Sequence, residues 1–221
     1  YYLNLAPNYD TTYTLRSLWK RGLIHDLEAR YLNELSSNFI DMAYLRGDDK
    51  LEESLGTQTD RWLLYFNHVG LWTSRWRSAI SFGALSDVDY LRDIGGDIDA
   101  STQETYRNFR SLGTNIPALT RIGTLRYQGR GWSASLLARG YQSLNRNAAR
   151  QYSALPQFTL RLNEKLSLFD FTLRGQLSRF DKDNDGLTGP LAIIGNRVVV
   201  DTKVSTSFRN AWGYVRPQAG A

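Results

Sequence analysis

Residues 167–180 read SLFDFTLRGQLSRF, and their parity decides the fold: Phe169, Phe171, Leu173 and Leu177 alternate with Asp170, Thr172, Arg174, Gln176 and Ser178. Successive side chains of a strand point to opposite faces, so this stretch is expected to be a strand with one apolar and one polar face. The same period of two recurs outward from it. In QFTLRLN, Phe158, Leu160 and Leu162 oppose Thr159 and Arg161; in VVVDTKV, Val198, Val200 and Val204 oppose Asp201 and Lys203. Trp76, Ile80 and Phe82 oppose Arg75, Arg77 and Ser81, and Leu23, Leu27, Ala29 and Tyr31 oppose Asp26, Glu28 and Arg30. Residues 61–72, RWLLYFNHVGLW, are apolar at both parities and read as a strand on aromatic and β-branched content.

About eleven strands are expected, near 9–19, 23–33, 37–46, 60–71, 75–84, 117–128, 132–144, 154–163, 168–180 and 197–208, with one starting near 212. After the tight KRG at 20–22, the connections alternate in length. Those at SS, TS, GRG and NEKLS are short, whereas those at 47–59, 85–116, 145–151 and 181–195 are longer. An up-and-down membrane barrel sorts its connections this way, short turns on the periplasmic rim and long loops outside. A soluble sandwich has no reason to.

Composition narrows the function. The aromatic share of 13% against one Met and five Pro leans toward β structure. A net charge of +5 admits nucleic acid, an anionic lipid surface or a solvated basic face. The chain has no Cys, which excludes a thiol nucleophile or thiolate metal site within it. No stretch approaches the roughly 20 apolar residues of a spanning helix, a test that barrel strands of about 10 residues escape. The expected fold class is therefore all-β: an antiparallel transmembrane β-barrel segment, not closed within the chain. The start at Tyr1 without Met fits a piece of a larger barrel.

Candidate chemistry is sparse. DKDNDG places Asp181, Asp183, Asp185 and Gly186 as a calcium loop would, but its twelfth position holds Ala192 instead of Glu. His25 and His68 are the only histidines, and a lipid hydrolase would need one of them as a base. Neither motif supports a metal, a cofactor or a catalytic residue. Arg75, Arg77, Arg126, Arg139, Arg161 and Arg174, with Asp26, Glu28, Arg30 and Asp170, are read as a hydrated lumen wall, and Tyr31, Trp76, Trp132 and Tyr141 as rim aromatics. The rival readings are a diffusion porin, a lipid hydrolase, and a soluble basic protein that stacks single-stranded nucleic acid on its aromatics.

YYLNLAPNYDTTYT (1–14), RYLNE (30–34), YLRGDD (44–49), RWLLYFNHVG (61–70), LSDVDYLRD (85–93) and YSALPQF (152–158) together resemble, in that order, the LptD family of lipopolysaccharide-assembly outer-membrane proteins. The resemblance implies a barrel of about 26 strands preceded by a periplasmic jellyroll domain, residues 1–221 being the first part of the barrel. It implies lipopolysaccharide (LPS) as cargo, a lateral seam at the first strand, an LptE-type plug lipoprotein, contact with outer-membrane lipids, a periplasmic Lpt bridge and an outer-membrane location in a Gram-negative bacterium, with no nucleic acid. It places the lateral gate at Pro7, Asn8, Tyr9, Asp10 and Leu15. A strand proline gives no N–H to its neighbour and so weakens a ladder. The family's second gate proline falls where this chain has Leu15, a departure from the pattern.

Overall fold

The computed structural model describes residues 1–94, 118–145, 151–182 and 193–221. The strands are β1 (Tyr2–Ala6), β2 (Tyr9–Leu18), β3 (Gly22–Leu32), β4 (Ser36–Leu45), β5 (Arg61–Leu71), β6 (Trp76–Leu85), β7 (Ala118–Gln128), β8 (Trp132–Ser143), β9 (Ser153–Leu166), β10 (Phe169–Asp181), β11 (Gly195–Thr206), β12 (Phe208–Asn210), β13 (Gly213–Val215) and β14 (Gln218–Gly220). Two short helices, α1 (Asp49–Leu55) and α2 (Tyr90–Asp93), lie in connections. From β1 to β11 each strand neighbours its successor in one sheet, β14 pairs with β11, and β12 and β13 form a separate hairpin. The sheet is open, with β1 and β14 at its ends. The expected fold class, all-β, antiparallel and unclosed, is what the chain adopts. No helix among the described residues is long and apolar enough to cross a membrane.

Two expectations need correction. The sheet does not open on the strand near 9–19, because β1 lies outside it and pairs Tyr2 with Thr12 and Asn4 with Asp10. The strand expected near 212 is instead the β12–β13 hairpin followed by β14. The connection at 47–59 also contains α1, whose N-terminus is capped by the Asp48 side chain and whose C-cap Gly56 takes φ +70. An acceptor side chain before the first turn and glycine in the left-handed region after the last are the ordinary stop signals of a helix.

The chain divides into two compact units. The first comprises residues 1–70, 79–122 and 141–150, the second residues 71–78, 123–140 and 151–221. In the first, the ladders fix which residues share a face. Arg16 faces Ile24, which faces Leu45; Asp26 faces Ala43; and Leu45 and Ala43 face Arg61 and Leu63. The opposite face carries Leu15, Leu23, Tyr44 and Trp62, all exposed. This unit has an apolar core: Leu18, Ile24, Leu45 and Leu63 pack with Leu85, Leu119, Tyr90 and Ile94. These strand residues share parity with Asp26, so the face expected to be hydrated throughout is dry at its long-connection end. The reason is local: residues 86–94 fold back over it, with Tyr90 and Ile94 fully buried. Nearby, the Gln142 amide accepts from Leu85 N–H and donates to Leu85 C=O at 3.0 and 2.7 Å, completing a strand end that has lost its backbone partner.

In the second unit the expected parity is seen in register. On one face Leu177 lies between Phe158 and Val198, and Gly175 between Leu160 and Val200. On the other, Arg174 lies between Arg161 and Asp201, and Thr172 between Asn163 and Lys203. The apolar face is open: Val198 is 67% exposed, Val200 60% and Leu177 53%. Pro156, which has no N–H, falls where the β9 ladders with both β8 and β10 slip register.

Candidate functional site

Three places carry the residues singled out from the sequence: the β1–β2 edge, the polar face, and the loops at the long-connection end of the first unit. Pro7 and Asn8 form the two-residue turn between β1 and β2, a placement that suits proline's fixed φ and asparagine's tolerance of turn geometry. Pro7 therefore subtracts no hydrogen bond from the β1–β2 ladder, which closes at Ala6 opposite Tyr9. The Tyr9 ring lies tilted against that of Tyr31, centroids 6.4 Å apart. Asp10 accepts from Arg30 at 2.9 Å, and Leu15, 51% exposed, sits opposite His25. The strand at the edge of the sheet is thus β1, and residues 9–15 lie one strand in.

On the polar face of the first unit, Asp26 is buried and bonded to Arg16 at 3.2 Å, and Glu28 lies between Thr12 and Asp41 in register. Arg30, Glu28 and Asp26 share this face as expected. Arg174 lies on the polar face of the second unit, and Arg77, next to Trp76 on β6, takes the side of that strand opposite Trp76. Arg75 does not join them. It lies in the turn before β6, and its guanidinium donates to the Tyr127 hydroxyl at 3.4 Å. Tyr127 is packed between Trp76 and Trp132, with ring centroids 4.9 and 4.7 Å away. Arg75 accordingly sits beside this aromatic cluster and outside the strand, because β6 begins at Trp76, one residue later than expected.

Of the two histidines, His25 Nδ1 lies 2.7 Å from the Tyr13 hydroxyl and His68 Nδ1 lies 2.7 Å from Asn38 Oδ1. The calcium-loop positions Asp183, Asp185, Gly186 and Ala192 lie outside the described residues.

The feature that sequence reading missed is an ion network around Arg61, a fully buried side chain at the start of β5. Its guanidinium donates to Asp87 at 2.8 and 2.9 Å, to Asp48 at 3.1 Å and to Asp93 at 3.2 Å. Asp48 also receives Arg21 and caps α1. Arg61 therefore ties the 46–60 connection to the 86–94 segment, and Arg21 joins the 19–21 turn to the same Asp48. Burying such a cation is costly, and only the planar fork with several carboxylates offsets it. The signal was present as YLRGDD and LSDVDYLRD, but nothing in either stretch points to Arg61.

Two carboxylates outside the strands show the electrostatics. Asp60 is held below the usual carboxylate range by the Tyr44 hydroxyl and then by Gly47 N–H. For Asp87, burial pushes the carboxyl up, but hydrogen bonds from Arg61 and Ser86 more than offset this and leave it lowered. A lowered folded-state value means the stabilisation is in place above the unfolded carboxylate value of about 3.9 and is lost as pH falls below it. Loop anchoring is expected to be constant from about pH 5 to 8. Below about pH 4, amide hydrogen exchange in 46–60 and 86–94 should accelerate before that of β3–β5; uniform acceleration across the sheet would contradict this.

A family model described as LptD, LPS transport system D, matches residues 59–221. Proteins named LPS-assembly protein LptD are similar along nearly the whole chain. That of Saccharophagus degradans is 29% identical over all of the chain and 26% of its own length. That of Pseudomonas aeruginosa is 30% identical over 98% of the chain and 24% of its own length. That of Pseudoalteromonas atlantica is 35% identical over 96% and 25%. The chain spans about a quarter of the length of these relatives. With the model covering the greater part of its residues, and its two-faced strands in register, the chain belongs to the LptD family.

Proposed function

We infer that residues 1–221 form the first part of the wall of an outer-membrane β-barrel that delivers LPS into the outer leaflet of a Gram-negative bacterium. The observation that carries this reading is the open apolar face of β9–β11, where Phe158, Leu177, Val198 and Val200 are all at least 41% exposed. Contiguous apolar surface of this kind is unfavourable in water and at home against acyl chains. The opposite face then lines the lumen, and the rim cluster of Trp76, Tyr127 and Trp132 sits at headgroup level. The chain contributes transport and assembly; no catalytic role is assigned to any of its residues.

In this reading the β1 edge supplies one lip of the lateral seam. Each backbone hydrogen bond absent from such a seam lowers closure by roughly 0.5–1.5 kcal/mol, so a short, bulged edge strand opens more readily than a long one. β1 has five residues and a register shift between Asn4 and Ala6, features that serve here in place of a strand proline. An LptE-type lipoprotein would fill the lumen, and a periplasmic domain N-terminal to this segment would join the Lpt bridge. The test is photocrosslinking from Leu3, Leu5, Pro7 and Leu15 in the full-length protein. Adducts with LPS, or bonds to the last strand of the barrel, are expected from Leu3 and Leu5 above all. Their absence at all four positions would overturn the gate assignment.

A further inference from the structure

We propose that Arg161 and Arg174 form an anion-binding site on the polar face of the second unit, taking phosphate groups on the saccharide part of the transported lipid; the assignment rests on the transport reading above. The two residues are direct cross-strand partners on β9 and β10. Like charges in that position repel and weaken a sheet.

The protein does little to relieve the repulsion. Arg161 faces Ser133 on its other side. Arg174 faces Asp201, yet its guanidinium donates to Gln176 Oε1 at 3.1 Å, and neither arginine has a carboxylate at ion-pair distance among the described residues. Both side chains are exposed. Lys203, one step along the same face, adds a third cation nearby.

The contrast with the first unit is what singles the pair out. There Arg16 is matched with Asp26, Arg30 with Asp10 and Arg61 with three aspartates, and Arg121, which has no carboxylate at ion-pair distance among the described residues, is held by Gly83 C=O and the Gln142 side chain. Two arginines set directly against each other, with no carboxylate at ion-pair distance among the described residues, are left for an outside anion. Phosphate fits, because two planar guanidinium forks can each offer paired N–H donors to its oxygens. A polar wall that only needed to be wet would be served by the serines and threonines that surround the pair.

The test uses the full-length protein with its plug partner in lipid vesicles and a photoreactive residue at position 133, with a second reporter at position 12 on the polar face of the first unit. The probes are LPS with its saccharide phosphates and the same LPS after enzymatic dephosphorylation. In R161Q/R174Q, capture of phosphorylated LPS at position 133 should fall about tenfold, R161K/R174K should restore part of it, and dephosphorylated LPS should respond little to either change. The melting temperature of R161Q/R174Q should equal or exceed that of the parent, since a repulsion has been removed. Undiminished capture, an equal loss with dephosphorylated LPS, or a lowered melting temperature accompanying the loss would each overturn the site while adducts at position 12 left the transport reading standing. No adduct at either position with either probe would remove both.

Discussion

Replacing Arg61 by alanine is expected to undock the loop segments 46–60 and 86–94 while leaving the strands beneath them paired. The substitution strips three aspartates of their common partner. Asp48 is then wholly buried with Arg21 alone, whereas Asp93 and Asp87 are 17% and 32% exposed at their side chains and can recover some hydration. Breaking a buried ion pair by removing one member costs about 3–5 kcal/mol, and the partial exposure of two partners argues for the lower end, about 3 kcal/mol. Arg61→Lys should recover only part of this, because an ammonium cannot present the fork that reaches Asp87 through two nitrogens. Combining Arg61→Met with asparagine at Asp87 and Asp93 should be milder than Arg61→Ala, since Asp48 keeps Arg21 and no carboxylate of the network is left without a cation. Thermal unfolding of the full-length protein in detergent gives the size of the effect, and hydrogen exchange gives its place. Equal protection of 86–94 in parent and variant would show that the apolar packing of Tyr90 and Ile94 holds the loop without the ions.

The second large effect separates the faces of a single strand. Leu177→Arg places a charge on the open face between Phe158 and Val198, and Gln176→Arg places the same charge one residue away between Thr159 and Val199. If the apolar face meets acyl chains, the first should cost about 2–4 kcal/mol near the bilayer midplane. The second should stay within about 0.5 kcal/mol. Denaturant unfolding from vesicles measures both. Because the positions are adjacent, depth in the membrane is nearly matched and the difference reports facing. Equal costs would contradict the assignment of Leu177 to lipid.

How legible was this molecule? The strands from β2 to β11 were readable because each buries or exposes an entire face, and a period of two survives in the sequence whatever the neighbours are. β10 is the clearest case, with all nine residues assigned to a side by parity found in the expected ladders. β1 escaped the parity reading because Tyr1, Tyr2 and Leu3 blur the alternation, and Pro7-Asn8 proves to be a hairpin turn. Arg75 lies one residue before the start of β6, and its side chain reaches the Tyr127 hydroxyl from the turn, which a parity reading of the strand does not show. The Arg61 network could not be read at all, because its partners lie 13, 26 and 32 residues away and meet it only once two loops have folded back. Long-range polar networks leave no local period.

The dry cluster at the long-connection end of the first unit refines the picture of the wall. Ile24, Leu45 and Leu63 share a face with Asp26 and Asp41, so the polar face is graded along its length rather than uniformly wet. The Arg61 network holds the 46–60 and 86–94 segments at the apolar end of that face.

The most direct test of the central claim labels this chain, which has no cysteine of its own, in a full-length background with any cysteines outside residues 1–221 replaced. Single cysteines at Phe171, Thr172, Leu173, Gln176, Leu177, Val200 and Asp201 of the full-length protein in vesicles would carry an environment-sensitive fluorophore, read against a lipid-borne and a water-borne quencher. The account predicts that positions 171, 173, 177 and 200 are quenched from lipid and positions 172, 176 and 201 from water. A loss of that alternation, or its reversal, would contradict the claim that these strands stand between bilayer and lumen.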